Sequence, residues 1–306
     1  MQQTELVNVW KWWSRRGTPT AHSVPDILPE WDDAPADLAE FRHRLDAVGL
    51  ASHAEDLVAL VRSSARLVPE ADVDTEAHGI SRLGGRPDLP AGCRWPTGAN
   101  GPLSFVAQIN LVDATAVLPP DTGLPRDGLL SFFYDAVTQS AWGFDPSDHE
   151  AWTVLYTAAD ETVEPRAFPS DLPEEGRFSP IGLTAVAELT FPAGESFEVE
   201  QIGIANWWST YGRVLGNGEG SINRLLGNPD PVQGDMQREC QLASNGIYCG
   251  GGNYTAEPEA QELLPGSADW RLLLQVDSFE EEAGMMWGDV GRLYYWVTEH
   301  DLRSHE

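Results

Sequence analysis

The chain has 306 residues, of which 42% are hydrophobic, and its formal net charge at pH 7 is -29. This length and apolar content are sufficient for one large soluble body with a substantial core. Nucleic acids and anionic lipid surfaces attract clusters of lysine and arginine, so direct binding to either is disfavoured. The acidity favours solubility, and among macromolecular partners it favours a basic protein.

The cationic residues are almost all arginine, because Lys11 is the only lysine. A P-loop, an internal Schiff base and a Ser-x-x-Lys nucleophile pair each require a lysine in the folded body. Since Lys11 falls in a predicted N-terminal arm, these reaction classes are disfavoured.

Three cysteines, Cys93, Cys240 and Cys249, are too few and too irregularly spaced for a disulfide framework or a zinc knuckle. We therefore predict a reducing, cytoplasmic location, although Cys240 and Cys249 could pair. No run of about 18 apolar residues is present, so no transmembrane helix is expected.

Residues 1–35 are predicted to form an N-terminal arm and a proline-rich connector. The arm carries Trp10, Trp12 and Trp13 beside basic residues, which resembles the start of an export signal, yet no apolar segment follows. We expect these tryptophans to dock on the acidic body or to contact a protein, in preference to a membrane interface.

The next segment predicts a helical hairpin within a single domain spanning residues 36–306. Apolar residues recur at helical spacing over residues 36–48, and a second helix is expected from Ser52, with Ser52 as its N-cap and Glu55 as the capping partner. A further helical piece is predicted after Gly216.

Beyond Pro69, glycine, proline and alternating apolar residues dominate, which is typical of strands and turns. The absence of β-α-β alternation favours an α+β fold with mainly antiparallel sheets and peripheral helices. The predicted strands are residues 104–110, 128–134, 152–156, 185–191, 270–276 and 292–297.

Two pairs of these strands resemble each other. Residues 105–110 and 270–277 each contain an apolar run with one glutamine, then an aliphatic residue and Asn or Asp, and a Gly-containing aromatic strand follows at 128–134 and 288–296. The pattern predicts an internally duplicated β core.

Gln108 and Gln275 occupy equivalent places in the two pairs. An amide inside an apolar strand needs hydrogen-bond partners, so each glutamine is expected to tie its strand to a neighbouring loop. An alternative is that the two face each other across a cleft between the halves. The candidate residues for that cleft are Arg82, Arg86, Gln108, Gln233, Gln275, Trp287 and Asp289.

The Arg82 and Arg86 side chains lie on a loop stiffened by prolines and containing a glycine pair. Such a pair could hold a carboxylate or phosphate of a ligand. The arginines could equally pair with carboxylates of the chain itself.

An aromatic segment offers a candidate contact patch for a partner, formed by Trp207, Trp208 and Tyr211. No catalytic signature is found, because Gly79–Leu83 fails the last position of Gly-x-Ser-x-Gly and the histidines form no compact ligand set. No catalytic residue, cofactor or metal is therefore assigned.

Four segments in order resemble the YwqG-like family of bacterial proteins, a domain family of unknown function. They are residues 81–90 (Ser-Arg-Leu-Gly-Gly-Arg-Pro-Asp-Leu-Pro), 105–111 with 128–134, 225–236 (Leu-Leu-Gly-Asn-Pro-Asp-Pro-Val-Gln-Gly-Asp-Met), and 270–302 with its Met-Trp-Gly-Asp-Val-Gly-Arg-Leu-Tyr-Tyr-Trp core. The resemblance covers about residues 57–303. It implies a single α+β domain with a duplicated β core and no established activity, cofactor or catalytic residue. Members look intracellular, and some occur in contexts suggestive of contact-toxin immunity.

Two functional hypotheses follow. The first is a cytoplasmic, non-catalytic binding or regulatory protein, in its specific form an immunity-type partner whose acidic surface neutralises a basic effector. The alternative is an enzyme or small-ligand sensor that uses the cleft between the half-repeats. The sequence predicts no oligomeric state.

Overall fold

The computed structural model of the protein describes residues 8–11, 29–204, 208–216, 222–232 and 234–304. These residues form a mixed α+β fold built on one long antiparallel sheet. No helix within these residues has the length and apolar character needed to cross a bilayer.

The described residues contain fourteen strands and nine α-helices. The strands are β1 (Asn8–Lys11), β2 (Arg62–Pro69), β3 (Arg82–Leu83), β4 (Asp88–Pro90), β5 (Thr97–Gly98), β6 (Gly101–Pro102), β7 (Ser104–Asn110), β8 (Leu129–Tyr134), β9 (Trp152–Thr157), β10 (Val163–Pro165), β11 (Ile181–Thr190), β12 (Arg224–Leu225), β13 (Trp270–Asp277) and β14 (Arg292–Thr298). The helices are α1 (Leu38–Ala47), α2 (Ala54–Ala59), α3 (Leu111–Ala116), α4 (Phe197–Ile202), α5 (Tyr211–Leu215), α6 (Gln237–Ser244), α7 (Pro258–Leu263), α8 (Glu280–Ala283) and α9 (Glu299–Ser304).

Ten strands form one sheet in the order β1-β14-β13-β12-β2-β11-β3-β7-β8-β9, with every neighbouring pair antiparallel. The order reads the same from both edges. On each side of the central pair β2/β11 comes a two-residue strand, then a long pair, then an edge strand. We call β11-β3-β7-β8-β9 the first half and β2-β12-β13-β14-β1 the second half.

All six predicted strands are confirmed as β7, β8, β9, β11, β13 and β14, because apolar alternation and clear turn residues mark them. The helix predicted after Gly216 is wrong over residues 222–226, where β12 lies between β2 and β13. Its backbone is used in the sheet: Asn223 O accepts from Leu67 N, and Leu226 N donates to Leu273 O. A short apolar run has no periodicity that separates the two structures.

The N-terminal helices α1 and α2 pack together and bury Phe41, Leu45 and Leu57 in a satellite core. Asp37 caps α1 by accepting a hydrogen bond from Glu40 N. The predicted cap of α2 is wrong, because a 3-10 turn over Ala51–His53 leads into the helix and no side chain caps it. Glu55, the expected capping partner, instead pairs with Arg42.

The main core lies on the inner face of the sheet and includes side chains from both halves. The rings of Phe132 in β8 and Tyr295 in β14 have centroids 4.9 Å apart. In a flat sheet these strands would be about 34 Å apart, at about 4.8 Å for each step between strands. The sheet therefore curls until its two long strand pairs enclose a single hydrophobic interior.

Candidate functional site

Two loop segments repeat a sequence on opposite sides of the central strand pair. Residues 80–90 read Ile-Ser-Arg-Leu-Gly-Gly-Arg-Pro-Asp-Leu-Pro, and residues 222–232 read Ile-Asn-Arg-Leu-Leu-Gly-Asn-Pro-Asp-Pro-Val. Ile, Arg, Leu, Gly, Pro and Asp recur at the same six positions. The two glutamines on the following strands were evident from the sequence pattern, but this loop repeat was not among the predictions, although aligning the chain with itself reveals it.

In the first half, Arg82, Asp88 and Gln108 form a buried cluster. Arg82 Nη2 lies 3.1 Å from Asp88 Oδ2. Gln108 Oε1 accepts a hydrogen bond from Asp88 N at 2.8 Å, while Gln108 Nε2 donates to Asp88 Oδ2 at 3.0 Å and to Ile80 O at 2.9 Å. We call these three residues the first cluster.

In the second half, Arg224, Asp230 and Gln275 make the same set of contacts. Arg224 Nη1 lies 2.8 Å from Asp230 Oδ2. Gln275 Oε1 accepts from Asp230 N at 2.9 Å, and Gln275 Nε2 donates to Asp230 Oδ2 at 3.1 Å and to Ile222 O at 2.9 Å. We call these residues the second cluster. Each glutamine ties its strand to a loop, as the sequence predicted.

The backbone that carries each cluster turns in the same way. Gly84 and Leu226, at equivalent positions, have φ values of 58° and 60°, and the following glycines, Gly85 and Gly227, have φ values of 70° and 87°. This left-handed turn brings the Pro-Asp pair back over the strands. A leucine in this conformation carries a penalty of about 1–2 kcal/mol, so the surrounding contacts hold the second turn in place.

The two clusters differ in what lies next to the arginine. In the first half, Arg82 pairs across the sheet with Gly182, and a Cβ at Gly182 would lie 2.4 Å from Val73 Cβ. The segment after β2 thus fills this space, and the side chains of Arg82 and Asp88 are 3% and 1% exposed. In the second half, Arg224 pairs with Arg66, and the Asp230 side chain is 37% exposed.

A pocket of about 670 Å³ opens beside the second cluster. It adjoins Gly216 and Ile222, which border residues outside the described ranges. Its lining combines charged and apolar side chains and includes Arg66, Glu188, Leu189, Phe191, Leu215, Arg224 and Asp230.

Glu188 fixes the charged wall of this pocket. Its carboxylate lies 3.1 Å from Arg224 Nε and accepts a hydrogen bond from Ser64 Oγ at 2.7 Å. Arg66 Nη1 is 3.4 Å from Glu188 Oε1, and among the described residues this is the only ion pair of the Arg66 side chain. With 37% of its side chain exposed, Arg66 keeps most of its N–H donors available to the pocket.

The residues predicted to line one cleft lie in several places. Arg82 and Gln108 belong to the first cluster and Gln275 to the second, on opposite sides of β2/β11. Of the other four, three belong to the described residues. Arg86 is exposed and pairs with Glu76 at 3.1 Å, Trp287 is buried with its indole N–H donating to Asp277 O, and Asp289 is exposed. Gln233 lies outside the described residues.

Two roles were open for Arg82 and Arg86: to hold a ligand anion, or to pair with carboxylates of the chain itself. In the structure both arginines pair with carboxylates of the chain. Successive side chains of a strand point to opposite faces of the sheet. Gln108 pairs with Ser131, the neighbour of Phe132, and Gln275 pairs with Tyr294, the neighbour of Tyr295. Both glutamines therefore lie on the outer face, opposite the face that carries Phe132 and Tyr295. The closed core therefore separates the two glutamines from any shared interior cleft.

Within the predicted contact patch, Trp208 is 44% exposed. Tyr211 is fully buried, so its predicted place in a surface patch is wrong. It lies on α5, its ring centroid is 6.3 Å from that of Phe41, and its hydroxyl donates to Pro192 O. Trp12, Trp13 and Trp207 lie outside the described residues. Trp10 belongs to β1, where only the backbone is described.

A buried carboxylate lies on α6, away from the pocket. Glu239 accepts a hydrogen bond from the Tyr254 hydroxyl at 2.7 Å, and burial raises the pKa of Glu239 to about 7. Burial also raises the pKa of Glu195, which lines the pocket. No group of three or more His, Cys, Asp or Glu side chains in the described ranges is arranged to hold a metal ion.

Asp88→Asn should destabilise the protein far more than Asp230→Asn. The first change leaves the buried Arg82 without its counter-charge, at about 3–5 kcal/mol, whereas Arg224 keeps Glu188 and Asp230 is partly solvated. Free energies of unfolding from urea denaturation measure both variants. Equal losses would contradict the difference in burial that distinguishes the clusters.

Glu239→Gln should change how stability depends on pH. Between about pH 4.5 and 7 the unfolded chain ionises Glu239 while the folded chain keeps it protonated, so stability falls as pH rises, by up to about 3 kcal/mol. The Gln variant should lack this loss. Urea denaturation at pH 5 and pH 8 measures it, with Glu259→Gln, an exposed change on α7, as control. Parallel pH profiles for Glu239→Gln and wild type would refute the assignment.

Residues 81–306, about three quarters of the chain, match the family described as "Domain of unknown function (DUF1963)". A search of curated proteins finds no match. The chain belongs to the DUF1963 family.

Proposed function

We propose that this DUF1963 protein is a ligand-binding protein and that a small polar molecule binds in the pocket beside the second cluster. One observation carries the proposal: the same hydrogen-bonded frame occurs twice, and it is filled by Val73 in the first half but adjoins a pocket in the second. Arg66 stands where the first half has Gly182.

The chemistry of the pocket supports ligand binding. Arg224 and Glu188 are held by several contacts within the sheet, so their charges are fixed before a ligand arrives. Arg66 adds a guanidinium with available donors, and the apolar side chains of Leu189, Phe191 and Leu215 can contact the non-polar part of a molecule. In small-molecule sites, polar groups held in place fix the orientation of the ligand while apolar side chains contact the rest of it.

We also attribute the two halves to an internal duplication of the β core, as in the YwqG-like family that the sequence resembles. The repeated loop sequence, the matching contacts of the clusters and the strand order that reads alike from both edges support this origin. The two long strand pairs even shift register at matching places, between Phe105 and Ala107 and between Leu272 and Leu274.

The ligand site can be tested by thermal-shift screening against metabolites, sugars and nucleotides, since a molecule bound by the native state raises its melting temperature. A ligand of this pocket should bind Arg66→Ala about tenfold or more weakly, because a charge-assisted hydrogen bond contributes about 1.5–3 kcal/mol. Arg86→Ala is the matched control, since it removes another arginine–glutamate pair beside the filled cluster.

Two outcomes would contradict the proposal. One is a screen in which no compound shifts the wild-type melting temperature. The other is a hit whose affinity is unchanged in Arg66→Ala, because the proposed pocket would then not be its site.

A second candidate function is association with a basic protein, in the form of an immunity-type partner. The net charge of -29 favours it, and the exposed Trp208 supplies an aromatic contact residue. This function does not require the pocket.

Pull-down from cell lysate tests this second candidate. A basic partner should be retained at low salt and released as the salt concentration rises, because exposed charges separated by more than about 10 Å are screened at 0.1 M salt. Retention of no basic protein at low salt would rule out a charge-driven partner.

A further inference from the structure

A row of five charged side chains crosses the second half of the sheet, at the ends of β2 and β13 that lie away from the second cluster. Arg62 Nη2 lies 2.8 Å from Glu198 Oε1, and Arg271 Nη1 lies 3.9 Å from the same oxygen. Arg271 also pairs with Glu299, whose other oxygen is 2.9 Å from Arg303 Nη2. Three guanidiniums thus share two carboxylates, and the row carries one positive charge in excess.

Three separate elements bring the arginines together. Arg62 begins β2, Arg271 is the second residue of β13, and Arg303 lies in the last turn of α9. Arg62 and Arg271 are close enough that burial, and then repulsion from Arg271, lower the pKa of Arg62. Like charges at this separation favour an anion beside them.

A pocket of about 340 Å³ lies against this row and is lined by all three arginines. Ser63 and Thr122 add hydroxyl groups to the lining. The acidic Asp121 and Glu299 also line the pocket. Asp121 is exposed, so water and salt screen its charge, and Glu299 is already paired with Arg271 and Arg303. This pocket shares no lining residue with the pocket beside the second cluster.

Two features distinguish this row from an ordinary surface ion-pair network. The side chains of Arg62 and Arg271 are only 29% and 18% exposed, so water screens their charges weakly. The Arg62 guanidinium donates one hydrogen bond within the described ranges, to Glu198, which leaves its other N–H groups for another acceptor.

We infer that the pocket beside the charged row binds a small molecule through an oxoanion group, either a carboxylate or a phosphate. The anion is held by Arg62, Arg271 and Arg303. The guanidinium fork matches the oxygen spacing of both groups, and bidentate contacts to either are among the strongest hydrogen bonds in proteins. The hydroxyls of Ser63 and Thr122 provide neutral donors for the remaining oxygens.

The test is titration of the full-length protein with inorganic phosphate and, separately, with succinate, at constant ionic strength maintained by sodium chloride. Binding is followed by calorimetry and by melting temperature. Arg303 is 61% exposed, so Arg303→Ala should fold, and it should weaken binding of the preferred anion about fivefold to tenfold. Arg42→Ala, which removes another exposed arginine from a glutamate pair, should leave binding unchanged.

Glu299→Gln gives the opposite prediction. It removes one of the two carboxylates and should strengthen anion binding about threefold or more, which a purely structural ion-pair network would not do. Comparing phosphate with succinate identifies the preferred oxoanion.

Absence of saturable binding for both anions, or equal losses in Arg303→Ala and Arg42→Ala, would overturn the inference. Arg66→Ala should not alter phosphate or succinate binding at this pocket. A failure here therefore leaves the ligand site beside the second cluster untouched, and the reverse also holds.

Discussion

The sheet depends on one glutamine in each half, whose side chain makes two hydrogen bonds to the same aspartate. In each half the amide of Gln108 or Gln275 bonds to both the backbone N–H and the carboxylate of an aspartate that lies 20 or 45 residues earlier in the chain. The same carboxylate neutralises an arginine on the adjoining two-residue strand. An unpartnered amide or guanidinium at these depths would be strongly unfavourable, so loop, short strand and long strand must assemble together. This interaction explains why strands of only two residues can connect the centre of the sheet to its long outer pairs.

The same arrangement of arginine, aspartate and glutamine can be covered by neighbouring residues or can form the wall of a pocket. Which of the two occurs depends on the residue that pairs with the arginine across the sheet. A glycine at position 182 lets Val73 close the first half, whereas Arg66 occupies the corresponding place in the second. The frame itself is kept in both halves, so the difference in accessibility does not require a different fold. The difference between a covered cluster and one beside a pocket therefore comes from residues on β2 and β11 that lie outside the repeated loop sequence.

Much of the fold could be predicted from the sequence, because long strands such as β7 and β14 have apolar runs bounded by glycine or polar residues. The site could not, for physical reasons. The position of Arg66 beside the pocket follows from its pairing with Arg224, which is far away along the chain and could not be predicted from local sequence. The strand Arg224–Leu225 is too short to show a periodic pattern. Leu226 makes the similarity of the two loop segments harder to see, because it stands where the first segment has Gly84. Tyr211 was placed on the surface because its aromatic neighbours suggested a patch, yet α5 turns it against α1.

The connectivity of the two halves differs although their strand order matches. The first half is drawn from one continuous stretch, from β3 to β11, while the second takes β1 and β2 from early in the described chain and β12 to β14 from late in it. The chain order of the strands in the second half is therefore a cyclic shift of the chain order in the first. Contacts within the first half close shorter loops, so forming it costs less loop-closure entropy than joining β2 to the distant strands β12 to β14.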